Sequence, residues 1–536
     1  MTALATPVTV PPAQAPRRAM LALARAEAVR FLRHPVTVAA LLLFVAPWVY
    51  DVATGTTDRY PVLHDKAVDL QVLGIFVLGG GALVVANLNT LRAHRHHTDA
   101  LYSVLVLPAP WRTAAFLLAP LPYAAAVGVL VTARVGALAL LPGAVGHPDP
   151  AELATTPAVV LLFAAVGVLL ARLVRSAVVA PLAMFGFVVA SFVTLVAAAR
   201  GNTALRLLLP VMFSDLPFAL PADVVDRPSL RHLAYLTGLI ALVAVAAVAR
   251  SGVLAGSRSG ARRRPVVVAL ALALALTATA GAAQFHTDDA LRRAAITATD
   301  NPAALQTCHH RGDVTYCAFT GFTPWIAGWD AVVQGVRRPV PATVAGQPLA
   351  IRQRVWAYGY PTGADVSFSA DQDARDTAWE RAAAAAGTPA AIPVSTAWGN
   401  GTAEASFAAS VALRLLTGSP FTPTSLVCGA RGAVLVWLVG QATADTAEGL
   451  HRLDAASTGG LAFMDDTTSM GLSVPDRDAG PGLAALSHPP AEVGALVAAN
   501  WTELTAPATP ADRFATLIGV PIAPEPPLEE RHVCLT

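Results

Sequence analysis

The chain reads as a polytopic α-helical membrane protein with a C-terminal α+β soluble domain, and three observations carry that prediction. Seven apolar stretches lie in the first 284 residues. The composition, 55% hydrophobic and 13% charged over 536 residues, is too oily for an ordinary soluble enzyme. The charge is also split: residues 1–284 hold 22 basic and 11 acidic side chains, whereas residues 285–536 hold 15 and 24. The formal charge of +2 for the whole chain therefore hides a region near +11 and a region near −9. Such a division argues for two domains of different surroundings.

The expected spans are 34–50, 70–91, 113–132, 156–171, 176–199, 233–249 and 265–283. Most approach the roughly 20 residues that cross about 30 Å of hydrocarbon at about 1.5 Å per residue. The first and fourth are short, and the first ends on Trp48 and Tyr50, amphipathic rings suited to a headgroup boundary. Only Arg172 to Arg175 separates the fourth from the fifth, which leaves open whether they are two spans or one long one.

Orientation follows from the loops. The N-terminal segment and the loops after spans two, four and six hold 15 arginines and, as acids, only Glu27 and Asp99. The alternate loops hold seven basic and nine acidic residues, including Asp51, Asp58, Asp65 and Asp69. The positive-inside rule then places the N-terminus in the cytoplasm and, after an odd number of spans, the tail outside. All four cysteines, Cys308, Cys317, Cys428 and Cys534, lie in that tail, as structural disulfides in an oxidising compartment would. Four cysteines allow three pairings, and proximity favours Cys308 with Cys317, leaving Cys428 with Cys534. A metal reading of Cys308 and Cys317 around His309 and His310 finds no C-x-x-C knuckle.

Before span one, the segment from Arg17 to Arg33 is expected as an interfacial helix with Leu21, Ala24, Ala28 and Leu32 on one face and Glu27, Arg30 and Arg33 on the other. Its guanidiniums would lie among anionic headgroups. The glycines Gly79, Gly80 and Gly81 of span two mark either a packing or dimer face or a loosened helix. The spans show almost no acid or base in their interiors, which disfavours an ion-coupled transporter.

The run RAEAVRFLRHP, from Arg25 to Pro35, resembles the elbow helix that opens permeases of the type-2 ABC exporter class. After span two, RHHTDAL from Arg95 to Leu101 followed by PAPWRTA from Pro108 resembles the loop that docks on the cytoplasmic ATPase in that family. Arg95, Thr98, Leu101, Pro108 and Arg112 carry this match. The apolar, proline-broken run LRLLLPVMFSDLPFALP between spans five and six is similar to the family's re-entrant outer helices. The resemblance covers roughly residues 17–250 and implies a six-helix exporter-permease core. Two departures stand out: His94 occupies the place of an acid that often precedes the coupling-loop arginine, and a seventh helix and outer domain are added.

The tail reads as strands at 314–319, 351–358 and 365–369 and helices at 324–336, 404–416 and 490–501. No catalytic signature emerges from it. There is no H-E-x-x-H, and TTSMG, from Thr467 to Gly471, lacks the first glycine of a nucleophile elbow. Asp371, Asp373, Asp376 and Glu380 do not have EF-hand spacing, and His94, His96 and His97 read as a basic loop rather than a zinc site. Lys66 is the only lysine and lies in no G-x-x-x-x-G-K-[ST] cradle, so this chain does not hydrolyse ATP by the P-loop mechanism.

The sequence therefore predicts a cytoplasmic N-terminus with an interfacial helix at 1–33, a permease-like membrane domain at 34–250, a basic loop at 251–264, a seventh helix at 265–283 and an extracytoplasmic domain at 284–536. The resemblance implies a non-enzymatic permease subunit in the plasma membrane. Its partners would be a separate ATP-binding subunit, membrane lipids and a second copy or sister permease, with no cofactor, metal or nucleic acid. The alternative is a membrane-anchored outer enzyme or receptor with a degenerate peptidase-like domain.

Overall fold

A computed structural model describes residues 15–55, 58–97, 107–199, 207–211, 220–225, 227–254, 260–286, 288–355, 370–419, 426–463 and 471–524. Among these, seven helices are long and apolar enough to cross a membrane: Pro35–Thr54, Leu63–Arg95, Ala109–Ala139, Pro150–Leu173, Val179–Ala197, Ser229–Gly252 and Arg264–Ala283. The protein is a multi-pass helical membrane protein.

Spans four and five are separate helices, because Val174 is extended and ends the fourth. The fourth is not short either. It begins at Pro150, where the Asp149 carboxylate accepts the Ala151 N–H at 2.7 Å and proline sits in the first turn. The second is the longest at 33 residues and starts at Leu63, well before its apolar stretch. Hydropathy marks where a helix is oily, whereas capping and partners decide where it ends.

Spans two and four form the centre of the bundle, with 61% and 56% of their apolar windows buried, against 11% for span five. Small residues let them approach. A side chain at Gly167 would collide with the Leu83 carbonyl, and the Asn87 amide donates to the Gly167 carbonyl at 3.3 Å. The triple glycine is a packing feature within the chain: Gly79 faces Val159 and Phe163, Gly80 faces Met184, and Gly81 faces Ala40. A π-helical turn, Gly74–Gly79, lies just ahead of it against span four. Span five, by contrast, leaves Leu182, Phe185, Phe192 and Val193 exposed, as a lipid-facing helix would. Arg134, at the end of span three, pairs with Asp51 at 3.4 Å and covers the Trp48 ring.

The C-terminal region combines helices with two small sheets. Strands β1 (Gln306–Arg311), β2 (Val314–Phe319), β3 (Leu349–Gln353) and β4 (Ile392–Val394) lie in that spatial order. The first pair is antiparallel and the other two are parallel. The helix Ile326–Arg337 connects β2 to β3, and Ala370–Ala385 precedes β4, so each parallel step has the helical crossover it needs. A hairpin of Gly460–Phe463 and Leu472–Pro475 makes the second sheet. Cys308 and Cys317 are direct cross-strand partners, 4.0 Å apart at Cα, and are joined by a disulfide. Cys428 is also disulfide-bonded; Cys534 lies outside the described residues.

The expected helices at 324–336, 404–416 and 490–501 correspond to Ile326–Arg337, Thr402–Thr417 and Pro490–Ala499. The third expected strand, at 365–369, lies outside the described residues.

The two regions share a core. Val62, Val145, Leu220 and Val224, which come from the segments joining spans one to two, three to four and five to six, are buried in the same cluster as Trp325, Trp329 and Phe407. Val62 and Val145 pair as a short parallel bridge. The Tyr60 ring packs edge-on against Trp325 at 5.9 Å and Trp398 at 6.4 Å. The Trp325 indole N–H donates to the Gly143 carbonyl at 2.7 Å. Arg59 adds an ion pair to Asp445 at 2.5 Å. All three joining segments thus lie at one end of the bundle, the domain face, and the arginine-rich connections lie at the other.

Candidate functional site

At the arginine face, the N-terminal helix Ala15–Arg33 bends into span one at His34. The His34 ring accepts the Val36 N–H at 3.2 Å, and Pro35 opens the new helix. The buried stripe is Ala24, Glu27, Ala28 and Phe31, whereas Leu21 and Leu32 are exposed. This corrects the expected face: Glu27 is not on the polar side but fully enclosed. Its carboxylate receives Arg30 at 2.7 Å and Arg92 of span two at 2.7 and 3.4 Å. The partner explains the error. A carboxylate can leave water when guanidiniums replace it, and Arg92 lies 65 residues away in sequence. The Phe31 ring packs at a tilt against Tyr123, 5.5 Å between centroids, which ties the same helix to span three.

Arg95 follows Arg92 by one turn and is exposed at the end of span two. Thr98 and Leu101 lie outside the described residues. Pro108 caps the helix Ala109–Leu118, and Arg112 occupies its first turn. Thr113 is buried behind it and donates to the Ala109 carbonyl at 3.1 Å. Arg172, from the end of span four, lies over the Phe116 ring at 6.0 Å. The structure therefore places Arg95, Pro108 and Arg112 on either side of the segment 98–106, at the end of the bundle that carries the clasped N-terminal helix. His94 and Arg95 complete the helix, His96 caps it, and His97 adopts a positive φ of 55°.

The domain face holds charged groups that hydropathy missed. His64 and Asp65 lie in the first turn of span two, and Glu152 in the first turn of span four; His64 and Glu152 are buried. Arg227, ahead of span six, pairs with Asp65 and reaches Glu152 at 3.7 Å and the His64 carbonyl at 2.9 Å. The Ser229 hydroxyl donates to Glu152 Oε1 at 3.1 Å, and the Gln71 amide donates to the Glu152 carbonyl at 3.2 Å. The His64 Nε2–H donates to the Leu220 carbonyl at 2.9 Å. Lys66 pairs separately with Asp58 at 3.1 Å. The expectation of spans almost free of acid and base is corrected here, because the helices run past their apolar windows. The available signal was HDKAVD, His64 to Asp69, read as a loop although it continues without a break into span two.

In the C-terminal region, Asp376 of the expected acidic cluster pairs with Arg354 at 2.6 Å, and Arg354 also lies over Trp379. That arrangement is an ion pair under an aromatic ring rather than a cation site. Gly471 is the one member of TTSMG among the described residues. Glu404 is buried below the turn Trp398–Gly401 and accepts the Gly399 N–H at 2.7 Å; burial pushes its pKa up against the pull of these backbone donors. It holds the turn that presents Trp398 to Tyr60.

No protein-family model matches the chain, and no curated protein sequence matches it.

Proposed function

We propose that the chain is the membrane-spanning permease subunit of an ATP-driven ABC exporter, with its arginine face in the cytoplasm and its C-terminal domain outside the cell. The observation that supports this most is the clasp between Glu27 and Arg92, one turn before Arg95. A force applied to the loop between spans two and three would reach the N-terminal helix and spans one and two together. A docked ATPase needs such a lever. Having no P-loop of its own, the permease depends on a separate nucleotide-binding subunit, and it works as a dimer with a second copy or a sister permease. The arginine bias of the loops supports the orientation. The rival reading, a membrane-anchored outer enzyme or receptor, needs an outer domain that stands on its own. Here Val62, Val145, Leu220 and Val224 from the membrane region complete its core.

The test is purification of the tagged chain from its native membranes after chemical crosslinking. The expected result is a P-loop ATPase in stoichiometric amount and ATP hydrolysis that travels with the complex. A combined Arg95→Ala and Thr98→Ala variant should lose most of both while keeping the permease folded. Absence of any ATPase would overturn the export reading; equal recovery with the variant would remove the coupling loop from it.

A further inference from the structure

Among the described residues, the cluster at the domain face sets two carboxylates, Asp65 and Glu152, around the guanidinium of Arg227. The nearby imidazole does not make up the difference. His64 uses its Nε2–H on the Leu220 carbonyl, and a second proton on its buried Nδ1 would set another cation beside Arg227, whereas a proton on a carboxylate removes a charge. Glu152 is 2% exposed. Its Oε1 receives Ser229 and faces Arg227, but its Oε2 is buried with no hydrogen-bond partner among the described residues. A carboxylate with one empty oxygen, beside a cation already matched by Asp65, carries one negative charge too many for a site withdrawn from water.

We propose that Glu152 is a proton-binding site, and that its proton fastens a latch across spans two, four and six at the domain face. In the closed arrangement an O–H bond forms on Oε2, the proton coming from water at the domain face, and the pair Asp65–Arg227 is then neutral by itself. Arg227 holds the latch by grasping Asp65 and the His64 carbonyl of span two while standing against Glu152 of span four. Opening hydrates Glu152, the proton returns to water, and the carboxylate no longer sits uncompensated in a dry site. Among the described residues, the groups facing Glu152 are Asp65 on span two, Asp149 on the turn before span four, Arg227 ahead of span six and Ser229 at its start. A proton on Glu152 favours the closed form, so the latch loosens as pH rises.

The test uses the full chain in lipid nanodiscs and hydrogen–deuterium exchange at the starts of spans four and six, corrected for the intrinsic pH dependence of exchange. Over about pH 5 to about pH 9, protection at these amides should fall by up to about tenfold per pH unit, the limiting slope for one linked proton. Glu152→Gln keeps an oxygen for Ser229 and cannot ionise; it should give a flat, protected profile. His64→Asn should keep the wild-type slope. Thermal melting of each variant at low pH shows that it is folded. A flat wild-type profile, a wild-type slope in Glu152→Gln, or a slope lost only in His64→Asn would each overturn the proposal. None of these readouts depends on transport or on an ATPase.

Discussion

The two ends of the membrane bundle are held together by different chemistry. Among the described residues, the arginine face is fastened by one buried ionic clasp, Glu27 with Arg30 and Arg92, beside the Phe31–Tyr123 contact, and presents exposed guanidiniums such as Arg95. The domain face is fastened by an apolar core common to both regions, by Tyr60 between two tryptophans, and by the Arg227 cluster. The contrast teaches where movement is cheap. A single ionic clasp next to water can be pulled as one piece by a partner, whereas an aromatic core yields only as a whole.

The largest expected effect breaks the domain face. Trp325 is fully buried and spends its indole N–H on Gly143. Trp325→Ala removes a large side chain and leaves the Gly143 carbonyl unsatisfied, a loss of about 3–5 kcal/mol. Thermal melting should fall steeply, and limited proteolysis should cut within residues 284–300, releasing the C-terminal region from the bundle. Melting near the wild-type temperature with no new cleavage would show that the shared core is not what joins the two regions.

Next comes the arginine face. Arg92→Met leaves Glu27 enclosed with Arg30 as its remaining guanidinium partner among the described residues, and Arg30 is itself more than half exposed. The loss should be about 2 kcal/mol, below the full cost of stripping a buried ion because one partner stays. Exchange should rise in Ala15–Arg33 while the domain face keeps its protection. If protection falls equally at both ends, the two faces are one cooperative unit and the contrast fails.

Much of this arrangement was legible in the sequence, and its gaps have one cause. Hydropathy located all seven spans, and loop charge sorted their ends into two kinds. Sequence proximity favoured joining Cys308 to Cys317, alternation marked β2, and a helical pattern marked the helix Ile326–Arg337. What escaped were buried charges whose partners are remote. Glu27 meets Arg92 from 65 residues away, and Asp65 meets Arg227 from 162. A charged residue read alone belongs in water, so the helix starts at Leu63 and Pro150 were cut back to the oily part. The same blindness made the tail look like a separate domain, because Val62, Val145, Leu220 and Val224 are short apolar residues in loops until they are seen together.

The smaller effects test whether the fastening at the domain face extends into the C-terminal region, and two carboxyls there respond to pH in opposite senses. Burial raises the pKa of Glu404 above its ordinary 4.5. A carboxyl raised on folding contributes stability that is fully present below that value and is lost as pH rises through the folded value. Stability of the wild type should therefore fall as pH rises above 4.5, and Glu404→Gln should be flatter there. Near-ultraviolet circular dichroism of the tryptophans, followed through melting at several pH values, reads this directly, because Glu404 holds the turn that carries Trp398. An equal slope in both proteins would free that turn from Glu404.

Asp313 runs the other way. Its carboxylate accepts Arg337 Nη1 at 3.0 Å, and that guanidinium, buried at the end of the helix Ile326–Arg337, also donates to the Gln347 carbonyl at 2.8 Å. The hydrogen bond from Arg337 holds the Asp313 pKa below its ordinary 3.8. The contribution is therefore present above pH 3.8 and disappears as pH falls through the folded value. The carboxylate is nearly half exposed, so solvent screens it and the effect should stay under about 1 kcal/mol. Asp313→Asn should lower melting slightly at neutral pH and match the wild type in acid. A variant that melts with the wild type at both pH values would show that Gln347 alone holds Arg337, and that the sheet needs no ionic tie at this corner.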